Sequence, residues 1–305
     1  MKVLLTGATG YIGRRLKKRL LEDEALQVRL FVRNERKLRN KYKERVEIFE
    51  GSTFDSESLR KALEGIEIAY YLIHSMGTKG DFKELDRLSA ENFLTACIDA
   101  NVQRIIYLGG LGRKDTASEH LLSRIETGEI LSSRPETIQT IWFRAGIIIG
   151  SGSTSFEIIR HLVRKLPLMT TPKWVHTKTQ PIGISDVLEY LFQAKDLDKK
   201  KNVVVDIGSD KMSFKDMLTR TSKVMGLRRL LIPVPLLTPR LSSYWLILIT
   251  PISFRIAKAL VDGLKSETII QNDNAKRYFP HISPLSYEDA IKNALREIEK
   301  KQIIR

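Results

Sequence analysis

The sequence predicts an α/β fold, a doubly wound parallel sheet with a smaller, mostly helical C-terminal lobe. Three observations carry the prediction. Short apolar runs alternate with longer segments of helical period through the first half of the chain. A glycine-rich turn, TGATGYIG (Thr6–Gly13), joins the first apolar run to the first helical one. After Gly150 the alternation gives way to small-residue loops, prolines and long apolar side chains. Strand–helix alternation implies right-handed crossovers and a sheet covered on both faces.

Taken in order, Val3–Leu5 reads as the first strand, Gly13–Leu21 as a helix, Val28–Val32 and Val46–Phe49 as the next strands. Ser56–Leu63 is a helix that Asp55 can cap. Ile68–Ile73 is a fourth strand, and Lys83–Ala100 a long helix with Leu85, Leu88, Phe93 and Ile98 among its apolar positions. Arg104–Leu108, Glu119–Leu131 and Gln139–Phe143 add a strand, a helix and a sixth strand. Beyond them Ser151–Ser155 is a loop, Phe156–Leu166 a helix, and 168–181 an irregular stretch. Ser185–Ala194 and Val203–Ile207 read as a helix and strand that return to the sheet. The expected domains are 1–150, joined by 182–207, and a lobe made of 151–181 and 208–305.

Composition narrows the function. The single cysteine, Cys97, excludes an internal disulfide and a cysteine-rich zinc site, and its apolar helical context reads as a buried thiol. The formal net charge is +15, and residues 1–50 hold 14 Lys or Arg against 7 Asp or Glu. Such a surplus suits an anionic partner or a solvated basic surface. With no helix-turn-helix, zinc-knuckle or RNP-like pattern, nucleic acid is not the expected partner. No signal peptide is read, and a cytoplasmic location is expected. The 14 uncharged residues 241–254 (LSSYWLILITPISF), broken by Pro251, are too few to span a bilayer, which takes about 20. With the flanking cations, 241–265 reads as core, pocket lid or a peripheral membrane contact. Oligomeric state has no signal here.

The glycine turn carries the clearest chemistry. Gly7 permits a tight turn, Gly10 lets backbone approach a pyrophosphate, and Gly13 lets the helix pack on the strand. The helix N-terminus adds free amides and the positive end of its dipole. Expected cofactor contacts are therefore Gly7, Thr9, Gly10, Tyr11, Ile12 and Gly13. The residue that would grip the adenosine ribose falls about twenty positions on. It is Arg33, not an acid, followed by Arg36 and Lys37, with Arg14 and Arg15 on the facing helix. Cations suit a 2′-phosphate, so NADP(H) is favoured over NAD(H); the alternative is a solvated Arg33.

These residues, with GSTFDSESLRKALEGIEIAYYLI, RIIYLGGLG, FRAGIIIGSG and QPIGISDV, resemble the extended and atypical short-chain dehydrogenase/reductase superfamily. Within it the chain is most similar to the NmrA-like, nucleoside-diphosphate-sugar epimerase-like proteins. The resemblance implies a Rossmann fold, a nicotinamide cofactor and a small substrate that it does not name. It also implies a Ser, Tyr and Lys at the reaction centre, and here the pattern departs. The fifth strand ends Leu108-Gly109-Gly110-Leu111 with no hydroxyl. In SEHLLSRIETGEI, His120 takes the tyrosine place and Arg124 the lysine place. A histidine moves protons near neutral pH, whereas an arginine can clamp a cofactor but not lose a proton.

Two readings stay open at this point. His120 and Arg124 form a reductase or epimerase site, or His120 is a surface residue of a non-catalytic cofactor-binding sensor or assembly protein. Ser123 is a weaker acid/base candidate, lacking a base beside it in the sequence. His74, at the end of the fourth strand, is placed to approach the nicotinamide ribose or to shape a loop. Arg144, Ser151–Ser155, Trp174, Tyr244 and Trp245 are expected around a substrate.

Overall fold

A computed structural model of the chain describes residues 1–38, 44–74, 81–234, 262–263 and 266–303. Its frame is a parallel sheet of β1 (Lys2–Thr6), β2 (Gln27–Val32), β3 (Val46–Glu50), β4 (Ile68–Tyr71), β5 (Arg104–Gly110), β6 (Gln139–Ala145) and β7 (Val203–Ile207). The spatial order is β7-β6-β5-β4-β1-β2-β3. Leu5 of β1 lies beside Leu30 on one side and Tyr70 on the other. The order reverses at β1, so a crevice opens beyond the carboxyl ends of β1 and β4, where this architecture binds ligands.

Pleating sorts the strand residues onto two buried faces. Val3, Leu5, Leu30, Ile106 and Phe143 point to the side covered by α1 (Tyr11–Leu20) and α6 (Ile184–Gln193). Leu4, Phe31, Ala69, Ile105 and Tyr107 point to the side of α2 (Ser56–Leu63), α3 (Phe82–Asp99) and α4 (Glu119–Leu131). Burying both faces explains why these strands read as apolar runs. Asp55 caps α2 as expected, accepting from the amides of Glu57 and Ser58. Cys97 is fully buried in the same core.

A further core belongs to α5 (Thr154–Lys165), α7 (Phe214–Val224) and α9 (Tyr287–Ile303), around Phe156, Ile159, Met217, Tyr287 and Ile291. Residues late in the chain also return to the sheet. The short helix α8 (Asn274–Tyr278) precedes Phe279, whose ring lies 5.5 Å from Phe143 and 5.6 Å from Tyr190. Short strands tie the lobe together: Ile148–Ile149 with Ile182–Gly183, and Lys178–Thr179 with Met212–Ser213.

Three expectations need correction. β4 ends at Tyr71, two residues before Ile73. The stretch expected to be irregular contains a strand, Leu168–Thr171, because it pairs in parallel with Leu230–Pro233, about sixty residues away. The buried stripe of α3 runs through Asp86, Ser89, Ala90, Phe93, Leu94 and Cys97, not through Leu85 and Leu88, which are half-buried. Both sides of α3 look apolar in sequence; its packing on α2 and α4 decides which one is covered. Tyr244, Trp245 and nearly all of 241–265 lie outside the described residues.

Candidate functional site: a glycine cradle and an apolar cavity

The cofactor end begins where Thr6 closes β1. Its hydroxyl donates to Tyr70 O (2.9 Å) and accepts from Leu72 N (3.0 Å), which locks the ends of β1 and β4 together. Gly7 then turns with φ +66°, and a Cβ there would come within 2.4 Å of the Leu72 carbonyl oxygen. Gly10 N donates to Gly7 O at 2.8 Å, closing the turn. At Gly13 a Cβ would meet that same oxygen at 2.2 Å. Gly10 differs. A Cβ there would touch only Gly7 O, at 3.2 Å, and would otherwise point into open space.

The helix start reinforces the point. Helices α2, α3, α4 and α5 begin on Asp55, Asp81, Ser118 and Ser153, whose side chains accept from first-turn amides. Helix α1 begins on Gly10, with no side-chain cap and no acid in its first turn. Its amides are left for an anion. An open cradle at Gly10 beside uncapped amides fits a pyrophosphate.

The other expected contacts divide. Ile12 packs into the core, so only its backbone can serve a ligand. Tyr11 turns its hydroxyl toward Gly150, and burial pushes its pKa up to about 12. Thr9 lines an open groove of about 1000 Å³ with Arg14, Lys18, Lys37 and Lys301. Arg33 is exposed, and among the described residues its side chain has no hydrogen-bond or ion-pair partner. Arg15 is not free for a phosphate. It donates to Ser151 O (2.8 Å) and Glu297 (2.6 Å), joining α1 to the lobe.

The second feature is a cavity of about 240 Å³ between the ends of β5 and β6 and the lobe. Ile147, Ile148, Ile158, Leu162, Trp174 and Phe214 supply most of its wall. Ser118, His120, Leu121 and Arg124 supply one side. His120 and Arg124, expected in the tyrosine and lysine places, therefore share one cavity. Arg124 Nη2 donates to Leu108 O at 2.8 Å, pinning the guanidinium to the end of β5, and its Nε is buried without a partner. The His120 ring stacks on Phe82 at 4.4 Å. Burial first, then the Arg124 charge, lowers the His120 pKa, against upward pulls from Asp86 and Glu119. His74 stands close enough to feel Arg124, Asp86 and His120. Its pKa falls to about 4, chiefly through the protein packed around it, although the residue as a whole is exposed.

Sequence reasoning missed the pair behind this wall. Ser123 Oγ donates to Asp86 Oδ2 at 2.9 Å, and both side chains are buried. The signal was present: Asp86 occupies a position of the α3 buried stripe, where a carboxylate requires a partner. Ser123 thus has a carboxylate beside it, but neither residue lines the cavity. Arg144 needs correction too. Its guanidinium grips the fully buried Asp206 through two bonds, 2.6 and 3.0 Å, and is structural. Ser153 is occupied as the cap of α5, while Ser155 and Trp174 line the cavity as expected.

Residues 7–134 match the family model described as NAD(P)H-binding. A solved triphenylmethane reductase from Citrobacter sp. superposes with TM-score 0.77 at 20% identity, covering 97% of this chain and 100% of that one. The NADPH-dependent quinone oxidoreductase of Escherichia coli, solved with NADPH, gives 0.75 at 17%, covering 95% and 98%. An uncharacterized chloroplastic protein of Arabidopsis thaliana is 26% identical over 238 residues, 68% of this chain and 70% of that protein. The structural likenesses show the fold. The match over 7–134 agrees with the cofactor class that the short-chain dehydrogenase/reductase resemblance implies. Among the described residues no helix is long and apolar enough to cross a membrane.

Proposed function

We propose that the protein is an NADP(H)-preferring oxidoreductase that reduces a compact, apolar, conjugated acceptor. The observation that carries this reading is the cavity of about 240 Å³, apolar on most of its wall and bearing His120 and Arg124 on one side. A wall of Ile158, Leu162, Trp174 and Phe214 favours a planar apolar molecule over a polyhydroxylated sugar. When bound, the nicotinamide would supply the hydride. His120 would hold the proton that the acceptor oxygen needs. Arg124, pinned by Leu108 O, would hold negative charge on that oxygen or on the cofactor. The folds of the Citrobacter and Escherichia coli reductases support the reading by analogy.

The exposed, unpaired Arg33 supports the preference for the 2′-phosphate. The test is NADPH oxidation against quinones, triphenylmethane dyes and simple carbonyls. We expect turnover of at least one conjugated acceptor, and a fall of about a hundredfold in kcat for His120→Phe, the size of a lost general acid. Because its pKa is lowered, His120 should give a rate that declines with rising pH from below the ordinary imidazole value. NADPH binding without turnover of any acceptor would favour the non-catalytic sensor instead.

A further inference from the structure

Leu168–Thr171 and Leu230–Pro233 form a two-stranded parallel ribbon on the lobe, with Leu168 beside Leu230 and Thr170 beside Ile232. Alternation along it is clean. Met169 and Leu231 point inward to the core of α5, α7 and α9. The outward positions of a half-covered ribbon are ordinarily polar. Here, beside Thr170, they are Leu168, Leu230 and Ile232, exposed at 49%, 61% and 38%.

Cations dominate the chain on either side of the two strands. Residues 158–185, which include the first strand, hold five Lys or Arg and no Asp or Glu. Residues 217–234, which include the second, hold four and again no acid. Arg164 and Arg228, beside the two strands in the chain, are exposed and form no ion pair among the described residues. Arg229 fastens the ribbon, donating to the carbonyls of Val163 and Arg164 at the end of α5.

We propose that this ribbon docks the protein on an anionic membrane surface, its three aliphatic side chains entering the interface and the surrounding cations meeting lipid phosphates. Aliphatic tips flanked by the exposed guanidinium groups of Arg164 and Arg228 are what such a surface selects, since apolar burial and attraction to anionic lipid add. A self-associating face would need carboxylates to match its own cations, and neither strand segment has one.

The full-length protein is tested by sedimentation with vesicles of phosphatidylcholine alone or mixed with phosphatidylglycerol. Binding to the mixed vesicles is expected, weakening as salt rises. The variant Leu168→Ser/Leu230→Ser/Ile232→Ser should bind at least about tenfold more weakly, with melting temperature and NADPH affinity unchanged. Arg164→Ala/Arg228→Ala should lose about fivefold per cation at low salt and nothing at high salt. Equal binding to neutral vesicles, undiminished binding by both variants, or no vesicle binding would overturn the proposal. So would a dimer of the parent that the triple variant abolishes.

Discussion

Arg33 sets the cofactor question in one side chain. It stands where an acid would select NAD, and it is exposed with its guanidinium uncommitted. A planar fork facing a doubly charged phosphate forms charged hydrogen bonds, each contributing about 1.5–3 kcal/mol. NADPH should therefore bind at least about tenfold more tightly than NADH at low salt. Raising the salt should narrow the margin, because solvent reaches the site. Arg33→Asp should erase or reverse the preference without moving the melting temperature. Calorimetry with both cofactors decides it, and equal affinities in the parent would remove Arg33 from the site. Single residues also show where reading by type reaches its end. Arg15 and Arg144 are cations near the expected ligand in sequence, yet both are held by carboxylates, Glu297 and Asp206, far along the chain. Such partners are invisible until the fold brings them in.

At the level of elements, the glycine turn separates two kinds of glycine. Gly13 is needed by the protein, since a Cβ there would strike the Gly7 carbonyl at 2.2 Å, backbone against backbone. Gly10 is open on the protein side, its would-be Cβ meeting only that oxygen at 3.2 Å. Gly13→Ala should lose about 1–3 kcal/mol of stability, the usual cost of overpacking, together with cofactor binding. Gly10→Ala should melt close to the parent yet bind NADPH much more weakly. Chemical denaturation and a binding isotherm on each variant separate the two, and similar stability losses in both would merge their roles. This turn and the six strands up to β6 were legible because each rests on local spacing. The strand Leu168–Thr171, the stripe through Asp86 and the ribbon's outward face were not. Each depends on a neighbour tens of residues away, and periodicity carries no record of it.

Across the whole molecule, three histidines share one bias. His74, His120 and His161 all have lowered pKa values, burial being the first cause in each case. Nearby cations add to it: Arg124 for His74 and His120, and Arg160 for His161. In the unfolded chain each would titrate near the ordinary value of about 6.5. Between that value and the folded ones, the unfolded state binds more protons, so stability must rise with pH there. Their contribution is fully present above about pH 6.5. It is lost as pH falls through the folded values, that of His74 lying at about 4. The melting temperature should therefore decline steadily over this window. His74→Asn and His161→Asn should flatten the decline, because an amide has no proton to take up. Melting curves at successive pH values for parent and variants are the measurement, and identical slopes would mean that carboxylates alone carry the acid sensitivity. The same bias serves the proposed chemistry. Holding His74 neutral beside Arg124 and His120 keeps added positive charge away from the cavity wall, so proton uptake by His120 is not opposed by a second imidazolium.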